Sequence, residues 1–168
     1  MDRTVAHRAR ALVSSALDGV VVGGSQAALD HPRRSAARRR VWAGIATAVA
    51  SDALASEVPT LRAVAAGRPP RPGHPEEQQL GITAGLVAVG WGLTVTVLDG
   101  PLARALARRG IARPHRALGV GVGLVTAAST LPFWWRRATL RIADDERLAV
   151  EEADLAAWEA ELAAADHH

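Results

Sequence analysis

Residues 80–98 (LGITAGLVAVGWGLTVTVL) and 117–135 (ALGVGVGLVTAASTLPFWW) are two uncharged stretches of 19 residues each, and the second runs directly into Arg136 and Arg137. At about 1.5 Å of rise per helical residue each reaches roughly 28 Å, close to the ~30 Å hydrocarbon thickness of a bilayer. The expected fold class is therefore all-α, an integral membrane helical bundle.

The remaining composition narrows the class. A chain of 168 residues is one domain by length, and 49% hydrophobic content with a mean hydropathy of only +0.07 indicates membrane segments diluted by polar loops and termini. With no cysteine, disulfides, thiolate metal sites and cysteine nucleophiles are excluded. All 20 basic residues are Arg, which accounts for a pI near 11.0 beside a net charge of only +3. That pI implies no nucleic-acid partner. The Ala- and Arg-rich, Lys-free usage is the mark of a GC-rich bacterial genome, and the expected location is the bacterial cytoplasmic (inner) membrane.

Charge is segregated along the chain. Residues 1–143 hold 19 Arg against 8 acids, whereas residues 144–168 hold one Arg against 9 acids. The expected division is a membrane domain over 1–137 and an acidic amphipathic C-terminal helix over 138–168. In that tail Leu148, Leu155 and Leu162 stand seven apart with Trp158 among them, a helical stripe too short to specify a coiled coil.

Two weaker apolar stretches precede the strong pair. Residues 11–29 are interrupted by Asp18, and residues 41–58 by Asp52 and Glu57. One Asp near a helix centre costs ~2.5–3.5 kcal/mol on insertion, about what six or seven Leu or Val residues return. The basic start and apolar run at the N-terminus look like a signal peptide, but Asp18 inside that run argues for a retained helix. Between the two stretches lies DHPRRSAARRR; the Pro- and Gly-rich segment 59–79 reads as a loop. Asp99, Gly100 and Pro101 read as the cap and start of a short amphipathic surface helix that Gly110 stops.

Four crossings would place 10 Arg on each side of the membrane. Leaving out the first stretch gives 13 against 7, and counting only the two strong spans gives 15 against 5. The Arg bias favours fewer crossings, while length and apolarity favour four. The expectation is four membrane helices, at 11–29, 41–58, 80–98 and 117–135, with no orientation assigned.

Small residues recur at helical spacing in both strong spans, at Gly81, Gly85, Ala88 and Gly92 and at Gly119, Gly123, Thr126 and Thr130. Each contains GxxxG, which lets backbones approach closely in lipid, and the expectation is that these two spans pack on each other, with a homodimer through one stripe as the alternative. The run GVGVG at 119–123 is no dinucleotide fingerprint, since Leu124 stands where the last Gly would be required. Phosphate-loop, nucleophile-elbow and zinc-helix motifs are absent too.

In an antiparallel hairpin of 11–29 and 41–58, Asp18 and Asp52 would lie at one depth, roughly 10 Å inside one face by helical rise. Two carboxylates there could share a proton or bind a cation. The alternative is a partly inserted hairpin with both carboxylates wet or bonded to neighbouring serines. Trp42, Trp134, Trp135, Arg136 and Arg137 read as membrane-interface anchors. His74 with Glu76 and Glu77, and the terminal His167 and His168, fit no metal spacing, and neither metal nor cofactor is expected.

These features favour a non-enzymatic accessory or scaffold protein. It would pack through small-residue stripes and recruit a partner through the acidic tail. Membrane lipid, a second copy or another membrane protein are the expected partners. The rival expectation is a small proton- or cation-coupled transporter or channel using Asp18 and Asp52.

Overall fold

The computed structural model describes residues 2–67 and 74–165, with the side chain of Pro59 excepted. Four helices follow in order: α1 (Arg3–Ala27), which ends in a 3-10 turn at Ala28–Asp30, α2 (Ala36–Ala65), α3 (Pro75–Arg108) and α4 (Pro114–Ala165). Among the described residues there is no strand. His167 and His168, considered above as metal ligands, lie outside the described residues.

The starts of α1, α2 and α3 are satisfied locally. The Asp2 carboxylate accepts from Thr4 N at 3.0 Å, Ser35 Oγ from Arg38 N at 3.2 Å, and His74 Nδ1 from Glu76 N at 3.3 Å. These capping groups relieve backbone N–H groups that have no intrahelical partner. The start of α4 is closed from a distance: Asp30 accepts from Arg116 N at 2.8 Å and from His115 N at 3.3 Å.

Several boundaries differ from those expected. α2 continues through Pro59 to Ala65, so the segment 59–79 is not all loop. No new helix begins at Asp99, because α3 runs on through Pro101 to Arg108; a proline inside a helix removes one backbone hydrogen bond, which neighbouring groups can compensate. α3 does stop where Gly110 takes a positive φ of 81°. The fourth apolar stretch and the acidic tail are one helix of 52 residues, about 78 Å long. Nothing in RRATLRIADDER breaks it, so the two expected elements form a single rod.

Three helices are long and apolar enough to cross a membrane, namely α1 with its terminal turn, α3 and α4. α2 is not among them. Asp52 and Glu57 dilute its apolar stretch, so apolarity by itself supports three spans where four were expected.

α1 and α4 form the centre, and they run antiparallel. Gly19 faces Gly123 and Ala127, and Gly23 faces Gly119; a Cβ placed on Gly19, Gly23, Gly119 or Gly123 would come within 3.0 Å of a carbonyl oxygen on the opposite helix. The same row continues at both ends, where Ser15 Oγ donates to Ala127 O at 2.6 Å and the Ala27 Cβ lies against Gly119. α3 packs on α4, also antiparallel, with Ala84 and Val95 buried and Trp91 Nε1 donating to Ser129 Oγ at 3.2 Å. α2 is held on α1 by few contacts, chiefly Ile45 against Gly24 and Asp52 against Arg10.

The expected pairing of two glycine stripes is thereby corrected. The α4 stripe of Gly119 and Gly123 meets α1, and α3 offers α4 a rotated face. Gly85 and Gly92 have nothing within 4 Å of an added Cβ, and Gly81 approaches only the Arg137 guanidinium at 3.7 Å. Ala88 is half-buried. The reason is steric: a glycine row is needed only where two backbones meet, and α3 turns Ala84, Trp91 and Val95 rather than its glycines into the bundle. Meanwhile Val97 (78% exposed), Leu124 (68%) and Leu86 (66%) turn outward, as side chains facing lipid do.

Substituting Gly23 tests the central contact. Gly23→Ala is expected to destabilise the bundle by roughly 1–3 kcal/mol, the usual cost of overpacking, whereas Gly85→Ala should leave the thermal midpoint in detergent within experimental error of the native protein.

Candidate functional site

The 19-residue apolar stretches of α1, α3 and α4 lie in register, and a cluster of polar side chains closes each end. At the first end, Arg10 precedes the α1 stretch, Glu77 lies just before that of α3, and Arg136 and Arg137 follow that of α4. Arg137 Nε donates to Glu77 Oε1 at 2.9 Å, Arg141 pairs with the same carboxylate, and Arg136 Nη2 donates to Glu76 Oε1 at 2.6 Å. Arg10 Nη2 donates to Asp52 Oδ1 at 2.9 Å, to Asp52 O at 2.8 Å and to Ser56 Oγ at 2.7 Å. His7 Nε2 lies 3.1 Å from Asp145 Oδ2, and the Arg8 guanidinium sits 4.2 Å from the centre of the Trp135 ring.

At the other end, His115 Nδ1 lies 2.8 Å from Asp99 Oδ1 and the buried Gln26 amide donates to the same oxygen. Asp99 is therefore no helix cap. With α3 continuous through it, its carboxylate instead joins α1, α3 and α4.

Asp18 and Asp52 are brought near enough for their charges to interact, yet each has a partner of its own. The Asp18 carboxylate accepts from Trp134 Nε1 at 2.7 Å and lies beside the Thr130 hydroxyl. Asp52 is engaged by Arg10. A small cavity of about 30 Å³ between α1, α2 and α4 reaches Asp52 and Ser14 but is not lined by Asp18.

The expected interface anchors divide. Trp42 and Trp135 are exposed at 45% and 41%, as an aromatic belt requires. Trp134 turns inward to Asp18, because an indole N–H and a carboxylate in an apolar setting satisfy one another. Arg136 and Arg137 are taken up by Glu76 and Glu77, which ties α4 to α3.

Residues that sequence reasoning passed over are Arg10, Arg141, His7 and Gln26, while His115, expected as a headgroup anchor with the Arg residues of 99–116, is paired with Asp99 instead. A usable signal existed for Arg141, which stands four residues after Arg137 and so on the same helical face. Ser15, Gly19, Gly23 and Ala27, at strict four-residue spacing, could likewise have been read as a stripe. Among the described residues no cluster of three or more His, Asp or Glu side chains could hold a metal ion. The Thr126 hydroxyl, wholly buried, has no hydrogen-bond partner among the described residues.

No known protein family, curated protein or solved structure matches the chain.

Glu77 is the acid shared by two arginines, and its side chain is 14% exposed. Glu77→Gln leaves both guanidiniums without a counter-charge and is expected to lower stability by about 1–3 kcal/mol, since hydrogen bonds to charged groups contribute in that range. The Arg136 pair, with the arginine 68% exposed, should matter little. Glu76→Gln is thus the control in the same melting experiment.

Proposed function

We propose that the chain is a small non-enzymatic component of the bacterial cytoplasmic membrane, a scaffold or accessory subunit that crosses the bilayer four times and recruits a partner through its acidic tail. The observation that carries this reading is the projecting end of α4. From Ala149 to Ala165 every residue is exposed, and the apolar stripe includes Leu155 and Trp158, both 58% exposed. Such a stripe within a segment of nine acids and one Arg suits a basic helical partner. It suits a second copy poorly, because two such tails would repel one another.

The interior supports a structural role. Asp18, Asp52, Glu77, Asp99 and His115 are each engaged by fixed neighbours. Between the two polar ends lies a close contact of glycine and alanine. A transport role would draw on the proximity of Asp18 and Asp52, but the Arg10 pair opposes a proton shared between them.

Helix direction supports the proposed fourth crossing. α1 and α3 both run antiparallel to α4, so they are parallel to each other, and α2 has to return the chain along the length of the bundle. If the three apolar helices cross, α2 crosses with them. Of its two acids, Asp52 is then paired with Arg10, while Glu57 is exposed. The chain has no native cysteine, so Arg33→Cys and Thr60→Cys provide clean labels; an impermeant maleimide should reach them from opposite sides of the membrane. Labelling from one side would refute four crossings.

Removal of residues 148–168 tests the tail. The truncated bundle should keep its melting midpoint while losing a partner that co-purifies stoichiometrically with the full chain. A protein that purifies alone and conducts protons in liposomes, with flux abolished by Asp18→Asn, would replace the scaffold reading with the transport one.

A further inference from the structure

The small cavity at the Trp134 end has the makings of a binding site. We propose that it receives the phosphate of an anionic phospholipid headgroup, held by the guanidinium groups of Arg10, Arg137 and Arg141. The inference rests on the membrane setting of the bundle and is independent of the role of the tail.

Three observations converge on it. The first is position. Arg10 is the residue before the apolar stretch of α1, and Arg137 comes two residues after that of α4. The cavity therefore lies at the plane where hydrocarbon gives way to headgroups, beside the exposed Trp135. Basic pockets between membrane helices at this depth are suited to anionic headgroups.

The second is donor supply. Arg10 spends only its Nη2 on protein acceptors, Arg137 only its Nε, and Arg141 its Nε and Nη2. The remaining guanidinium N–H groups have no acceptor among the described residues, and Ser14 and Ser56 also line the cavity. Arginine's planar fork matches two phosphate oxygens at once. Asp52 and Glu77 each take one edge of these guanidiniums and orient the side chains, leaving the other N–H groups directed at the cavity's surroundings. The further acids at this end have partners of their own: Asp145 faces His7, Asp18 accepts from Trp134, and Glu76 pairs with Arg136.

The third is size. A cavity of about 30 Å³ has room for one or two water molecules or for the oxygens of a phosphate, but not for a complete organic solute. A phosphate ester whose remainder stays outside fits that space. At this depth such an ester is carried by a lipid.

Native mass spectrometry of the full-length, delipidated protein in neutral detergent tests the proposal, with phosphatidylglycerol as the probe and inorganic phosphate as competitor. Phosphatidylglycerol should be retained, and inorganic phosphate at equal concentration should not displace it. Arg141→Gln, which leaves the Arg137–Glu77 pair in place, should weaken retention about tenfold, the equivalent of one hydrogen bond to a charged group. Ser56→Phe should weaken it as much, by filling the cavity without changing any charge. Arg109→Gln, on an exposed turn at the other end of the bundle, should behave as the native protein. Helical content measured by circular dichroism checks that each variant is folded. Retention that survives Ser56→Phe, or falls equally with Arg109→Gln, would reduce the effect to bulk charge and overturn the proposal. Displacement by inorganic phosphate would also overturn it, since the site would then take a soluble anion.

Discussion

The contact on which the rest of the molecule depends is the meeting of two helix backbones at Gly19 and Gly23 on one side and Gly119 and Gly123 on the other. Within lipid no hydrophobic drive separates one apolar helix surface from another, so association relies on close van der Waals contact and the few hydrogen bonds that fit. Four glycines allow carbonyl oxygens to sit where a side chain would otherwise stand. The four-residue spacing on both helices makes the contact continue through Ser15 and Ala127 at one end and Ala27 at the other, and this sets the register of α1 on α4.

That register determines which charges meet. With α1 and α4 aligned, Asp30 reaches the open N-terminus of α4, and Gln26 reaches Asp99 beside His115. At the opposite end His7 meets Asp145, and Arg10 and Arg141 line one cavity. The apolar middle stays free of unpaired charge. Asp18 is the one acid within it, and it is tolerated because Trp134 donates to it from the partner helix. α2 is the least secured element, resting on Ile45 and on the pair of Arg10 with Asp52, which places any looseness of the bundle on the side of that cavity.

Much of this was legible from spacing. The apolar lengths of 80–98 and 117–135 announced two spans, and their flanking Arg and Trp residues marked the borders. The first span was harder to read because Asp18 drew attention away from the small residues at 15, 19, 23 and 27. Asp99 with Pro101 carried the composition of a helix start, yet α3 continues through them, since packing on α4 and the bond to His115 outweigh a local capping preference. Trp134 and Trp135 are adjacent and chemically alike. Only their angular separation on the finished helix sends one inward to a carboxylate and leaves the other outside.

By itself, then, the sequence determined the helical class, the two strongly apolar segments and the segregation of acid into the tail, because each depends on local composition and on the cost of exposing backbone or charge to hydrocarbon. The tertiary structure alone decided which glycine stripe meets which, that α1 rather than α3 provides the close partner of α4, and that the acids shared among helices are Glu77 and Asp99. Those outcomes depend on helix rotation and register. Both are properties of two surfaces together, and neither surface carries them in isolation.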